Sequence, residues 1–244
     1  MERIKNITRK WLQELMGFER YLFAFARFHI FRINRLKNEK AFRYFNAMIK
    51  DGGAILDIGA NIGITTVSLA NMHPRSIIYA FEPMPGNYQT LEKVLKFYKH
   101  SNVQIYKTAL GNRDGEANMI MPVINGSKMQ GLSHVIDPSI KNDIEGDMHT
   151  VPLQQLDKIP GLQQLEKISA IKMDVENFEY EVLKGGETLL RKHRPIIFCE
   201  LWNNERRELC FTLMKNLGYH IMILEKGNLV AHSSQDALNY FFLP

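Results

Sequence analysis

Cysteine is nearly absent: Cys199 and Cys210 are the only two in 244 residues. Two are too few for a disulfide framework or a metal knuckle, which need several in pairs. Thiols in apolar segments fit a reducing compartment, and the first residues lack a signal-peptide layout, so a cytoplasmic location is expected. Long hydrophobic runs are missing too. The run at residues 21–26 is soon followed by Arg27, His29 and Arg32, whereas a spanning helix needs about 20 mostly apolar residues. Repeats and low-complexity tracts are absent. Proline does not occur in residues 8–49, and Gly17 is the only glycine there, so nothing stops that stretch from being helical.

What is present is ordinary globular material, 45% hydrophobic and 23% charged. It suits a helical extension over residues 1–50 and one main domain over 51–244. The net charge of +5 is concentrated at the front. Residues 1–50 carry twelve Lys and Arg against four Glu. Such basic, aromatic-rich helices can make peripheral contact with an anionic membrane or nucleic acid. The plainer reading is a solvated face whose aromatics pack on the main domain, and a nucleic-acid partner is not expected.

Helical spacing at Leu12, Leu15 and Met16, then Phe42, Phe45, Met48 and Ile49, predicts two helices ending at Asp51-Gly52-Gly53. Short apolar runs then predict strands at 54–58, 76–81 and 103–107, alternating with helices at 62–72 and 87–98. That alternation implies a parallel, doubly wound α/β sheet. Residues 111–150 break the rhythm and read as a functional loop or lid, with one strand at 117–121 and a short one at 150–153 that can pair with it. Strands at 170–174 and 195–200 and helices at 178–192 and 205–217 resume the pattern, and 219–224 with 239–243 reads as an antiparallel pair.

The first strand runs into Asp57-Ile58-Gly59-Ala60-Asn61-Ile62-Gly63. In such sheets ligands bind beyond the carboxyl ends of the strands, and glycines let the backbone approach closely. The third glycine of the dinucleotide fingerprint is lacking. Asp57 would repel a pyrophosphate, which relies on an uncompensated helix N-terminus. An ammonium and a sulfonium would welcome that charge. The second strand ends in Glu82-Pro83, and an acid there can take both ribose hydroxyls. An unphosphorylated nucleoside with a cationic amino-acid tail satisfies all of this, and S-adenosylmethionine is that molecule.

These segments, together with Ala109-Leu110-Gly111-Asn112, Lys172-Met173-Asp174-Val175-Glu176-Asn177, Leu183-Lys184-Gly185-Gly186 and Pro195-Ile196-Ile197 with Glu200, resemble the FkbM-like methyltransferases from about residue 54 onward. The resemblance implies a Rossmann-like class I methyltransferase sheet, mostly parallel with an antiparallel C-terminal strand pair. It implies O-methylation of a hydroxyl on a small-molecule or glycan acceptor. It places the cofactor on Asp57, Gly59, Ala60, Asn61, Gly63, Glu82 and Pro83, with Asn112 near the adenine. The family usually has glycine where this chain has Asn177, a residue that tolerates left-handed backbone.

Methyl transfer to oxygen mainly needs positioning, a dry site and help for a weak nucleophile. Asp174 and Glu176 end the fourth main strand and are candidates to orient or deprotonate the acceptor; Asp174 can instead hold the cofactor's amino group. With Glu200 they could share Mg²⁺, but a metal is not favoured. His134 is a candidate base. Lys172 alternates with apolar neighbours and can snorkel outward. Trp202 and Asn203 can line the acceptor pocket or pack elsewhere. Amino-methylating DNA enzymes would show a polar-Pro-Pro-aromatic block after this strand, which is absent. Methylation of nucleic acid or protein, cofactor binding without turnover, and a membrane-surface module built on the basic N-terminal helices are the competing readings, and a homo-oligomer is open.

Overall fold

The computed structural model describes residues 2–36, 39–136 and 145–244. An eight-stranded sheet forms the centre. Its first strand, β1 (Ala54–Ile58), is buried at all five positions, as a strand covered on both faces must be. On one side β1 pairs in parallel with β2 (Ile78–Phe81), and β2 with β3 (Val103–Tyr106). Helices α4 (Ile64–Met72) and α5 (Pro85–Tyr98) make the crossovers.

The chain then leaves for a second sheet. Residues 111–150, expected to be mostly irregular, instead hold β5 (Gly115–Ile124), which pairs antiparallel with β8 (Gly146–Gln155) from Gly115↔Leu153 to Pro122↔Gly146. Short strands β4 (Ala109–Gly111), β6 (Ser127–Lys128) and β7 (His134–Val135) complete it. Ala117, Met119 and Met121 bury their side chains over Leu153 and Val151, giving this sheet its own core. Met and Asn stand where β-branched residues would have announced a strand, which hid it. The centre of the 111–150 stretch, 137–144, lies outside the described residues.

Returning, β9 (Ile168–Met173) adds to the other side of β1, followed by β10 (Ile196–Glu200), both parallel. The direction of winding therefore reverses between β1 and β9, and a ligand crevice is expected at their carboxyl ends. The helix expected over 178–192 is two, α6 (Glu179–Lys184) and α7 (Glu187–His193). Gly185 separates them because its backbone lies against the Gly111 carbonyl, where a Cβ would collide. After α8 (Glu205–Asn216), β13 (Asn239–Leu243) and β11 (His220–Glu225) close the sheet antiparallel, with β12 (Asn228–Ala231) as an added edge.

The two helices expected in front are three: α1 (Glu2–Met16), α2 (Phe18–Leu36) and α3 (Lys40–Met48). Gly17, at φ 76°, breaks the first from the second. α2 buries Leu22, Ala26 and Ile30 in one cluster with Val67, Leu91 and Val94 of α4 and α5. Phe45 of α3 is fully buried and stacks on Phe198 of β10 at 5.3 Å between centroids, an arrangement worth about 0.5–1.5 kcal/mol beyond its buried area. No helix among the described residues is long and apolar enough to cross a membrane.

Candidate active site

The turn after β1 depends on backbone that ordinary residues avoid. Gly59 (φ 76°), Asn61 (φ 50°) and Gly63 (φ 87°) are all left-handed. The Gly59 and Ala60 amides donate to the Phe81 carbonyl at 3.1 and 3.0 Å, so the turn is clamped to the end of β2. A Cβ on Gly59 would overlap the Asp174 carbonyl oxygen, and one on Gly63 would meet Leu91.

Asp57 does not face the crevice. It is completely buried and accepts hydroxyl bonds from Thr65 (3.1 Å) and Thr66 (2.7 Å) of α4. Its counter-charge is Lys172, whose ammonium lies 3.5 Å from Asp57 Oδ1 and 3.8 Å from Asp174 Oδ2 and donates to the Gly59 carbonyl at 2.9 Å. Lys172 is 4% exposed, so it does not snorkel to the surface. Burial works against its charge, but Asp57 and Asp174 outweigh that and hold its pKa above the ordinary lysine range. It ties together the ends of three elements: β1, the glycine turn and β9.

Glu82 ends β2 and is buried. Its Oε2 accepts the Asn61 amide at 2.8 Å; its Oε1 accepts the Met84 amide at 2.9 Å and the Asn87 side chain at 3.2 Å. A carboxylate offers about four lone-pair sites, so one remains beyond these three. Burial pushes the Glu82 pKa up to about 7. Glu82 lines a small cavity of about 60 Å³ with Pro83, Thr108, Leu110, Glu176 and Phe178 among its walls. A larger cavity of about 330 Å³ adjoins it. Both are lined by Gly59, Asn61, Gln130, Gly131 and Asp174. The aromatic walls of the larger one are Phe25, Phe42 and Phe198, and Glu200 and Lys172 are among its polar groups.

Acids converge where the cavities meet. After β9 the backbone turns through left-handed Glu176 (φ 54°) and Asn177 (φ 72°). Asn177, the departure noted in the sequence, adopts the left-handed backbone that glycine favours. Its side-chain oxygen also accepts from Asn204 at 2.7 Å, and Asn204 caps α8. Glu179 holds the same turn by accepting the Val175 amide at 3.1 Å. Burial raises Glu176 to about 8, with Asp174, Glu200 and Glu179 adding to it. Burial likewise raises Glu179 and Glu200 to about 7.

The stability consequence has a definite sign. Groups whose folded pKa is raised bind more protons folded than unfolded, so stability falls as pH rises between the two values. Glu82, Glu176, Glu179 and Glu200 place that loss between pH 4.5 and about 8. Surface acids such as Asp51 and Asp114, lowered first by side-chain hydrogen bonds from Arg75 and Lys158, lose their stabilisation only on the acid side. Burial lowers His29, His73, His100 and His193 from 6.5, which opposes that loss on the acid side of pH 6.5, so the melting temperature of the ligand-free chain should fall between about pH 6.5 and 8, and Glu176→Gln should flatten part of that fall. A melting temperature constant or rising from pH 6.5 to 8 would contradict this charge state.

The residues singled out in the sequence separate cleanly. Gly59, Ala60, Asn61, Asp174 and Glu200 line the larger cavity, and Glu82, Pro83 and Glu176 the smaller. Asp57 and Gly63 act from behind. Asn112 is exposed and lines neither cavity; its Cα lies against Gly185. His134 also lines neither, because β7 pairing with Ile120 fixes it and its Nδ1 meets the Leu132 carbonyl at 2.9 Å. Trp202 and Asn203 line neither, and Trp202 is 44% exposed. Among the described residues no three His, Cys, Asp or Glu side chains are grouped to hold a metal. Missed in the sequence were His29, Arg32, Glu39 and Phe42 of the N-terminal helices, Gln130, and Asn239 of β13, all of which line the larger cavity.

A model of the methyltransferase FkbM domain matches residues 57–226. The chain belongs to the FkbM methyltransferase family. This FkbM-family chain is 26% identical over 157 residues to Methyltransferase 1 of Beauveria bassiana, covering 58% of this chain and 61% of that one. It is 28% identical over 158 residues to methyltransferase sdnD of Sordaria araneosa, covering 54% and 59% respectively. The crystal structure of methyltransferase FkbM from Methylobacillus flagellatus shares its Rossmann-like fold, with a TM-score of 0.54 at 18% identity over 80% of this chain and 45% of that one. The chain thus spans less than two thirds of the length of these relatives.

Proposed function

We propose that this FkbM-family chain is an S-adenosylmethionine-dependent O-methyltransferase acting on a hydroxyl of a small or glycosyl acceptor. The observation that carries the reading is the pair of adjoining cavities that meet at Asp174. The smaller carries the groups for an adenosine on its walls, Glu82 for a ribose hydroxyl and Pro83, Leu110 and Phe178 for a flat ring, and has to widen beyond its 60 Å³ to admit one. The amides of the turn at Gly59 and Asn61 are held by Phe81 and Glu82, so it is the carbonyl oxygens of the turn that can accept from the ammonium of an amino-acid tail. The cofactor supplies an already activated methyl on its sulfonium. The residues of the chain then have to bind, orient and exclude water.

In this reading the larger cavity receives the acceptor, and its aromatic walls keep the reacting atoms dry. Asp174, beside Lys172, orients the acceptor hydroxyl and takes its proton. Glu176 keeps its own proton up to about pH 8 and is a hydrogen-bond donor before that. Asn112 and His134 have no part in this reading.

The test uses methyl-labelled S-adenosylmethionine against hydroxylated sugars and polyketide-type alcohols. Label should appear as an ether on an acceptor oxygen. Asp174→Asn should lower turnover by about 100-fold or more, as loss of a base does, and leave donor affinity within a few fold. A fully active variant would reject the role of Asp174, and label on nitrogen or sulfur would reject O-methylation.

A further inference from the structure

We propose that α1 and α2 seat this protein on an anionic lipid surface. α1 packs inside out. Its polar side faces the protein: the Gln13 side chain exchanges two 3.0 Å bonds with the Lys128 backbone, and Arg9 Nη1 reaches Met129 Sδ at 2.6 Å. Its apolar side faces outward: Ile7 is 49% exposed, Trp11 70% and Leu15 80%, at the four-residue spacing that forms one stripe. α2 adds Phe28 and Phe31, 58% and 54% exposed, on the side away from buried Leu22, Ala26 and Ile30. With Leu12, six of the fifteen large exposed apolar side chains of the described residues lie on these two helices.

Charge selects the occupant. Residues 2–36 carry eight Lys and Arg against three Glu, a surplus equal to the whole chain's net charge of +5. A second copy docked face to face would bring two such surpluses together, which like-charge repulsion opposes. An anionic bilayer accepts both features. Trp and Phe settle at the headgroup boundary, and the Lys and Arg side chains not turned inward, as Arg9 and Arg32 are, gain from the negative surface. The contact is peripheral. α2 also lends Phe25, His29 and Arg32 to the larger cavity, so one helix would stand between the lipid and the acceptor chamber.

The experiment is co-sedimentation of the full chain with vesicles. Phosphatidylcholine containing about 30 mol% phosphatidylglycerol should bind about tenfold more protein at low salt than phosphatidylcholine alone, and high salt should release most of it. Trp11→Ser with Leu15→Ser should cut that binding about tenfold, with an unchanged melting temperature, since both side chains are exposed. In a Trp202→Phe background, Trp11 emission should shift to the blue when the anionic vesicles are added. Absent or lipid-indifferent binding, a double variant that binds like the parent, or unmoved Trp11 emission would overturn the proposal. So would a dimer that the double variant dissociates in a chain that ignores vesicles, which would assign the face to a second copy.

Discussion

Lys172→Met should destabilise the fold by about 3–5 kcal/mol, the usual cost of leaving one member of a buried ion pair unpaired. Asp57 is completely buried, and without the ammonium only the hydroxyls of Thr65 and Thr66 would meet its charge. The Gly59 carbonyl would lose its donor as well. Because the folded pKa of Lys172 is raised, its contribution is fully present below the unfolded lysine pKa, and because its charge also favours ionised Glu82, Glu176 and Glu200, the loss should be larger at pH 8 than at pH 6. Urea unfolding measures it. Asp57→Asn combined with Lys172→Met should recover part of the loss, since removing both charges costs less than stranding one. A loss under about 1 kcal/mol for Lys172→Met alone would mean the pair does not hold the turn.

Gly59→Ala should weaken donor binding severely. Left-handed backbone costs an alanine about 1–2 kcal/mol. The larger effect is steric, because the new methyl would occupy the space of the Asp174 carbonyl oxygen and push β9 away from the turn. That displacement moves the residue at which the two cavities meet. We expect S-adenosylmethionine affinity to fall about 100-fold or more, on the scale that ångström misplacements cost. Gly52→Ala is the control: its φ is 108°, but a Cβ there would meet nothing within 4 Å. It should show the backbone cost alone and bind the donor normally. Equal donor affinity in both variants would refute the proposed close approach at Gly59.

The parallel strands were readable because a strand buried on both faces must be a nearly continuous apolar run, as 54–58 is apart from Asp57. The glycine turn and Glu82 were readable because their chemistry is local. Lys172 was not. Alternation with apolar neighbours says that a lysine is half-buried, and only tertiary structure shows that Asp57 waits opposite it. The charge of Asp57, which in the sequence pointed to a cationic ligand, is met instead by that lysine. The second sheet was half legible: the 150–153 strand and its pairing were expected, while the length of β5 was hidden by Met, Asn and Pro. The N-terminal wall of the larger cavity carries no motif at all. Phe42 and Arg32 matter through where α2 and α3 dock, and helical periodicity cannot tell a docking face from a cavity wall. Asn177 was legible in the other direction, as a departure from the family glycine that nonetheless keeps a left-handed backbone.

In the proposed function the crevice beyond β1 and β2 holds S-adenosylmethionine through Glu82. Calorimetric titration of the unaltered chain with S-adenosylmethionine tests it most directly, with Glu82→Ala titrated in parallel. One site is expected in the unaltered chain, with an affinity reduced about thirtyfold or more in a folded Glu82→Ala, the equivalent of about 2 kcal/mol of charge-assisted hydrogen bonding. No binding by the unaltered chain, or equal affinity in the two, would contradict it.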